Sequence, residues 1–165
     1  MTARPRRLLT LLAPLAVLAL LCGAPAAAGS DAPSTPPGTK TFVTRYGFND
    51  LWSRLERAVA KQEMGIVARA SASKGAAARG LEIPGNVVIM VYRNDFAVRM
   101  LKASGAAGIE APLRFYVTEN ADGTASLTYR LPSAVFAPYG SDELDRMAKE
   151  LDLIFARIAE DAIGG

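Results

Sequence analysis

The chain has 165 residues, no histidine and one cysteine, and its 19 basic residues exceed its 16 acidic residues by three. Because the cysteine, Cys22, lies in the N-terminal segment described next, the rest of the chain excludes Ser-His-Asp and Cys-His catalytic sites. Zinc, copper and haem centres with imidazole or thiolate ligands are excluded for the same reason. The sequence also lacks the glycine motifs that are typical of dinucleotide-binding proteins and of α/β-hydrolases.

Residues 1–28 have the three regions of a cleavable secretory signal. Arginines near the start are followed by an apolar run of about 14 residues and by small residues that end at Ala28. This run is shorter than the roughly 20 residues of a bilayer-spanning helix, so we expect cleavage after Ala28 and a periplasmic or secreted domain. The Arg6-Arg7 pair leaves twin-arginine export open beside the general route, and Cys22 leaves lipid anchoring as an alternative.

Removal of the signal makes the remaining chain electrically neutral. The signal carries three of the 19 basic residues and no acidic residue, and the 16 that remain balance the 16 acidic residues. We therefore expect no nucleic-acid binding and no membrane attachment beyond the signal peptide. The only cysteine leaves as well, so the exported part must be stable through its hydrophobic core without disulfides.

Composition divides the remaining chain into a linker and one domain. Residues 29–40 are rich in Pro, Ser, Thr and Gly, which predicts a disordered linker. Residues 41–162 contain no internal repeat and no second linker, and their length is within the common domain size of about 100–150 residues. We expect a single domain there.

The first half of this domain is predicted to alternate strands and helices. The strand over Thr41–Tyr46 is followed by a helix that is capped by Asn49. The strand over Ile66–Ser71 is followed by an alanine-rich helix over Ser73–Arg79. Five consecutive apolar residues then predict a central strand over Asn86–Tyr92, covered on both faces or partly hidden by its neighbours.

The second half is predicted to contain a helix capped by Asn94, a β-hairpin, and a long helix capped by Ser141. The hairpin strands, Leu113–Thr118 and Ala125–Leu131, flank a three-residue loop in which Gly123 is left-handed. This loop length places the apolar residues of both strands on one face. The order β-α-β-α-β-α-β-β-α predicts an α+β two-layer sandwich, with helices on one face of a mostly antiparallel five-stranded sheet.

The hairpin sequence resembles a family called domain of unknown function 302. The run Ala111-Pro112-Leu113-Arg114, then Asp122-Gly123, Leu127-Thr128-Tyr129 and Pro132, is similar to that family's LPLR, DG, Y and P pattern. The resemblance covers nearly the whole predicted domain. It departs at Arg93-Asn94-Asp95, where the family commonly has Gly-Asn-Pro. The resemblance implies this fold and raises dimerisation as an expectation, but the family has no established activity to transfer.

The hairpin register also places Arg114 opposite Arg130 on the polar face of the sheet. Like charges that face each other across two strands destabilise a sheet unless something anionic lies between them. The anion could be a small ligand, an internal carboxylate such as Glu110 or Glu82, or an acidic residue of a second subunit. The alternative to a bound ligand is an internal carboxylate or plain solvent around the two side chains. The residues predicted to bind a ligand are Arg114, Arg130, Tyr116, Thr128 and Glu82.

Two functions therefore stay open. The leading hypothesis is a non-enzymatic exported module that uses the uncovered sheet face for a small anion or for a homodimer. The alternative is a hydrolase or isomerase that uses a carboxylate, a tyrosine or Lys102 in a cleft. Its carboxylate candidates are Glu82, Glu110 and Glu119. The sequence predicts no specific catalytic residue, no metal ligand and no cofactor.

Overall fold

The computed structural model describes residues 35–164. The predicted signal peptide and the first half of the predicted linker, residues 29–34, lie outside this range. Within it, no helix has the length and apolar character to cross a membrane. The strands are β1 (Thr39–Val43), β2 (Gly65–Ala70), β3 (Asn86–Tyr92), β4 (Leu113–Glu119) and β5 (Ala125–Arg130). The helices are α1 (Phe48–Lys61), α2 (Ala72–Ala77), α3 (Asn94–Ala103), α4 (Pro132–Phe136) and α5 (Asp142–Ile163).

The five strands form one antiparallel sheet in the order β1-β5-β4-β3-β2. The predicted α+β fold with a five-stranded sheet is therefore confirmed. Along β3, buried residues alternate with half-buried ones, as expected of a strand with helices on only one of its faces. Of the two environments expected for β3, the structure has the partly hidden one.

The β4–β5 hairpin has the predicted register. Val117 pairs with Leu127, and Phe115 pairs with Tyr129. The loop is closed by the backbone N–H of residue 120, which donates to the carbonyl of residue 124 at 2.8 Å. Gly123 has a φ of 82°, the left-handed conformation that the bulged loop requires.

The core lies between the sheet and the helices α1 and α5. Leu51, Leu55 and Val59 recur every four residues along α1 and are completely buried in this core. From α5, Phe155 stacks on Phe115 of β4 with 4.5 Å between the ring centroids. The helix-facing side of the sheet is therefore occupied by core packing.

The sheet begins earlier in the chain than predicted. Thr39 pairs with Arg130 and Lys40 pairs with Tyr129, so the last two residues of the predicted linker belong to β1. The strand also ends at Val43 and does not reach Tyr46. The composition of the linker hides this start, because threonine and lysine are as common in linkers as in edge strands.

Helix starts agree with the prediction only where a side chain forms the cap. The Ser141 hydroxyl accepts from the backbone N–H of residue 144 at 3.3 Å, as predicted for the start of α5. Asn49 and Asn94 are not caps: they lie inside their helices, whose N-caps are Gly47 and Arg93. Helix α4, which the predicted order does not contain, begins at a proline, a residue favoured in the first turn.

Candidate functional site

The face of the sheet opposite α1 and α5 is here called the open face. No helix of residues 35–164 packs across it, and its side chains come from alternate positions of the five strands. They are Thr39, Thr41, Val43, Ala68, Ala70, Asn86, Val88, Met90, Tyr92, Arg114, Tyr116, Thr118, Ser126, Thr128 and Arg130. The two arginines are the only charged residues among them.

At one end of the open face, Arg114 and Arg130 line a cleft together with Glu110, Leu113 and Val135. The cleft has a volume of about 280 Å³. The hairpin register brings the two arginines level with each other, because the next residue pair along the hairpin is Phe115 with Tyr129. The structure therefore brings together the two arginines that the sequence analysis singled out.

Neither guanidinium has a partner within residues 35–164. Four other cations there, Lys61, Arg69, Arg93 and Arg99, each form an ion pair. No carboxylate lies within 4.0 Å of the nitrogens of Arg114 or Arg130, and neither side chain makes a hydrogen bond or a cation–π contact. Two like charges thus share a cleft with no neutralising contact from the described part of the chain.

Glu110, the carboxylate of the cleft, is held by a residue other than the arginines. The hydroxyl of Tyr139 donates to Oε1 of Glu110 at 2.9 Å. This hydrogen bond raises the pKa of Tyr139 above its ordinary value. With two guanidinium groups and one carboxylate, the cleft keeps a net positive charge.

Tyr116 and Thr128 lie on the open face but not in the cleft. They pair with each other across β4 and β5, one step further along the face from the arginines. The hydroxyls of Thr128 and Thr41 are 3.0 Å apart and share a hydrogen bond, and Tyr116 is 40% exposed. Their position makes them neighbours of the arginine cleft and not part of its lining.

Glu82 does not approach the arginines. It lies in the exposed loop before Asn86, which pairs with Thr118 at the far end of β4 from Arg114. The length of the sheet separates the two positions, since a strand rises about 3.3 Å per residue. Glu82 therefore cannot be the internal carboxylate between the arginines in this structure.

The carboxylates of the enzymatic alternative do not converge. Glu110 lies in the arginine cleft, whereas Glu119 accepts a hydrogen bond at 2.7 Å from the backbone N–H of Gly85, at the same far end as Glu82. Lys102 is exposed in the last turn of α3. Among residues 35–164 there is also no cluster of three acidic, histidine or cysteine side chains that could hold a metal ion.

Two residues of the cleft region were outside the sequence prediction. Val135 lies in α4, and Tyr139 lies in the short 3-10 turn that follows it. Both come from a segment for which the sequence analysis predicted no element. Pro132 at the start of α4 was the available signal for a helix there.

Comparison with known proteins identifies the family. The family model described as domain of unknown function DUF302 matches residues 40–162. No curated protein matches the sequence. The crystal structure of an uncharacterized conserved DUF302 protein from Bacillus stearothermophilus has the same fold: the TM-score is 0.69 at 19% identity, over 76% of this chain and 98% of that one. Since the family model spans most of its length, the chain belongs to the DUF302 family.

Proposed function

We propose that this protein is an exported, non-enzymatic module that binds a small anion in the cleft between Arg114 and Arg130. The observation that carries the proposal is the pair of guanidinium groups that line one cleft without a partner in residues 35–164. A guanidinium presents parallel N–H donors that match the two oxygens of a carboxylate or phosphate. An anion between the two side chains would turn a repulsive contact into two charge-assisted ones.

The charge of the cleft favours a monoanion. Two arginines and Glu110 sum to one positive charge, so a monocarboxylate makes the site neutral while a phosphate dianion leaves it negative. Leu113 and Val135 add apolar walls for an aliphatic part of the ligand. A cleft volume of about 280 Å³ accommodates a small ligand such as a short-chain carboxylate.

The N-terminal sequence supports the place of action. Residues 1–28 carry the charge and hydropathy pattern of a secretory signal. The domain would then meet its ligand in the periplasm or outside the cell. A domain whose remaining charges balance would not concentrate anions over its whole surface, so binding would depend on the local arginine pair.

Calorimetric titration of the processed protein with butyrate, and with inorganic phosphate for comparison, tests this function. We expect butyrate to bind at low ionic strength, and Arg114→Gln or Arg130→Gln to weaken it by about 10-fold or more, because a hydrogen bond to a charged group contributes about 1.5–3 kcal/mol. Arg79→Gln is the matched control, since Arg79 is exposed in the loop after α2, outside the cleft.

Two results would contradict the proposal. One is the absence of butyrate and phosphate binding at millimolar concentration. The other is an equal loss in all three arginine variants, which would mean that the domain responds only to net charge. Tighter binding of phosphate than of butyrate would retain the site but contradict the preference for a monoanion.

A further inference from the structure

We infer that a cavity between the sheet and its helices is a binding site for a soft monovalent metal ion, Cu(I), held by three methionine sulfurs. The three residues are Met64, which lies between α1 and β2, Met100 of α3 and Met147 of α5. All three line one cavity of about 30 Å³, here called the methionine cavity. The inference does not depend on anion binding, because the arginine cleft is a separate site.

Core packing alone does not explain the methionine cavity. Protein cores leave few voids larger than a water molecule, and the flexible, unbranched methionine side chain normally fills irregular gaps. Met64, Met100 and Met147 are only 2–6% exposed, and yet they border a void. Residues 35–164 contain one other methionine, Met90, so three of four methionines meet at this one place.

The size and the lining of the cavity limit what it can hold. Its volume exceeds the roughly 10–15 Å³ that one water-sized group needs, but it leaves no room for an organic ligand of several atoms. A buried water needs about two to four polar partners, whereas most of the lining residues are apolar. Arg93 is the only charged residue of the lining, and Asp95 neutralises its guanidinium in a bidentate ion pair at 2.8 and 3.1 Å. The occupant must therefore be small and must bind to sulfur.

The chemistry of thioether sulfur selects the metal. Thioethers are soft ligands that favour Cu(I), whereas harder cations favour imidazole, carboxylate or water oxygen. A single charge also costs less to bury among apolar side chains than the double charge of Cu²⁺ or Zn²⁺. The processed chain has no thiolate or imidazole to compete for the ion, because Cys22 leaves with the signal and the chain has no histidine. We therefore expect one Cu(I) per chain and no binding of Zn²⁺ in this cavity.

Competition for Cu(I) between the processed protein and the chromophoric chelator bicinchoninate, with ascorbate as reductant, tests this site. We expect Met64→Leu, Met100→Leu and Met147→Leu each to weaken Cu(I) binding by about tenfold or more, because each removes one ligand. Leucine has nearly the volume of methionine, so the core should tolerate all three changes. Met90→Leu is the matched control, since Met90 lies on the open face. Circular dichroism checks that each variant remains folded.

A second measurement needs no change in the wild-type ligands. Ag(I) has the same charge and softness as Cu(I) but does not change its oxidation state, so it can be titrated into protein with ¹³C-labelled methionine methyl groups. We expect the NMR signals of Met64, Met100 and Met147 to shift and that of Met90 to stay in place. The absence of Cu(I) binding would overturn the site, as would wild-type affinity in all three cavity variants. Equal losses in those variants and in Met90→Leu, or equal Ag(I) shifts of all four methionines, would also overturn it.

Discussion

The position of one carboxylate, that of Glu110, controls how strongly the arginine cleft can attract an anion. The hydrogen bond from Tyr139 holds Glu110 in place, and no ion pair with Arg114 or Arg130 forms within 4.0 Å. If that hydrogen bond is removed, Glu110 becomes free to turn toward the guanidinium groups and to compete with the ligand. Tyr139 therefore acts as a positioning residue for the proposed function.

We expect Tyr139→Phe to weaken butyrate binding severalfold while the fold stays intact. Tyr116→Phe is the control, because it removes a hydroxyl from the open face outside the cleft. The measurement is the same calorimetric titration as for the arginine variants. Unchanged or tighter binding by Tyr139→Phe would show that Glu110 does not compete for the arginines.

A second tyrosine links protonation to stability. Burial raises the pKa of Tyr129, and the negative charges of Asp152 and Glu160 raise it further. The native state thus holds the phenol proton more tightly than the unfolded state does. This contribution is fully present below the unfolded pKa of about 10 and is lost as the pH rises through the folded pKa.

We therefore expect the free energy of unfolding to fall as the pH rises above about 10, the unfolded pKa, and to fall less steeply in Tyr129→Phe. Urea denaturation at a series of pH values measures both slopes. The two proteins differ at this position alone, so the difference between the slopes isolates Tyr129. Parallel slopes would mean that the native state does not raise the pKa of this residue.

At the scale of elements, the β4–β5 hairpin depends on the left-handed conformation of one glycine. Gly123 has a φ of 82° and no neighbour that an added Cβ would meet within 4 Å, so the cost of a side chain there is conformational and not steric crowding. Gly75 also has open space around it, but it lies inside α2 with an ordinary helical backbone. The same substitution should therefore have opposite effects at the two positions.

We expect Gly123→Ala to destabilise the domain by about 1 kcal/mol or more, and Gly75→Ala to stabilise it by about 0.5–1 kcal/mol. Thermal and urea unfolding of the two variants measure the difference. Equal changes in stability of the same sign would show that the left-handed backbone conformation of residue 123 does not determine the cost of a side chain there.

Helix α5 contains the side chain on which the aromatic core centres. Phe155 is completely buried and lies 4.5 Å from Phe115 and 5.7 Å from Tyr129, measured between ring centroids. We expect Phe155→Ala to cost about 3–5 kcal/mol, from lost burial and from the cavity that remains. On the same helix, Leu153→Ala should cost less than about 0.5 kcal/mol, because the side chain is exposed. Comparable losses in urea denaturation would contradict this assignment of the core.

The sequence predicts those features that depend on local pattern. Strict alternation on both strands and an Asp-Gly turn specify the hairpin register, so the opposition of Arg114 and Arg130 follows from neighbouring residues alone. Helix α4 has only five residues, too few for a 3.6-residue period to appear. Asn49 and Asn94 mislead because an asparagine near a helix start is a common cap, and only the backbone conformation decides which residue is the cap.

Features that depend on strand order could not be predicted. Placing Glu82 requires knowing that β3 runs from that loop toward the arginine end. The contact between Tyr139 and Glu110 joins residues that are 29 positions apart, across the whole hairpin. Neither relation leaves a periodic signal in the sequence, so the tertiary pairing decides both.

At the scale of the whole molecule, the strand order separates β1 from the other four strands. From β2 to β5, each strand pairs with the next one along the chain. β1 instead pairs with β5, and the hydrogen bond between Thr41 and Thr128 spans 87 positions. Closing so long a loop is costly in chain entropy, so we expect β1 to join the sheet last and to leave it first.

Native-state hydrogen exchange tests this order. In low concentrations of denaturant, the backbone amides that form hydrogen bonds between β1 and β5 should exchange through a local opening. That opening leaves the amides of β3 and β4 protected. Their free energies of opening should therefore differ. If the shared amides of β1 and β5 exchanged with the same free energy as those of β3 and β4, the five strands would form one cooperative unit.

The first residue pair of β1 determines which part of the domain a pulling force on the N-terminal side would reach first. Thr39 pairs with Arg130, and the carbonyl of Gly38 accepts a hydrogen bond at 2.8 Å from the backbone N–H of Leu131, so the start of the strand lies beside the arginine cleft. A force that lifts the chain at position 38 would peel β1 away from this end, one residue pair after another. Tension on the N-terminal side of the domain would thus disturb Arg130 before it reaches the core. Such a force would weaken ligand binding in the cleft while the core stays folded.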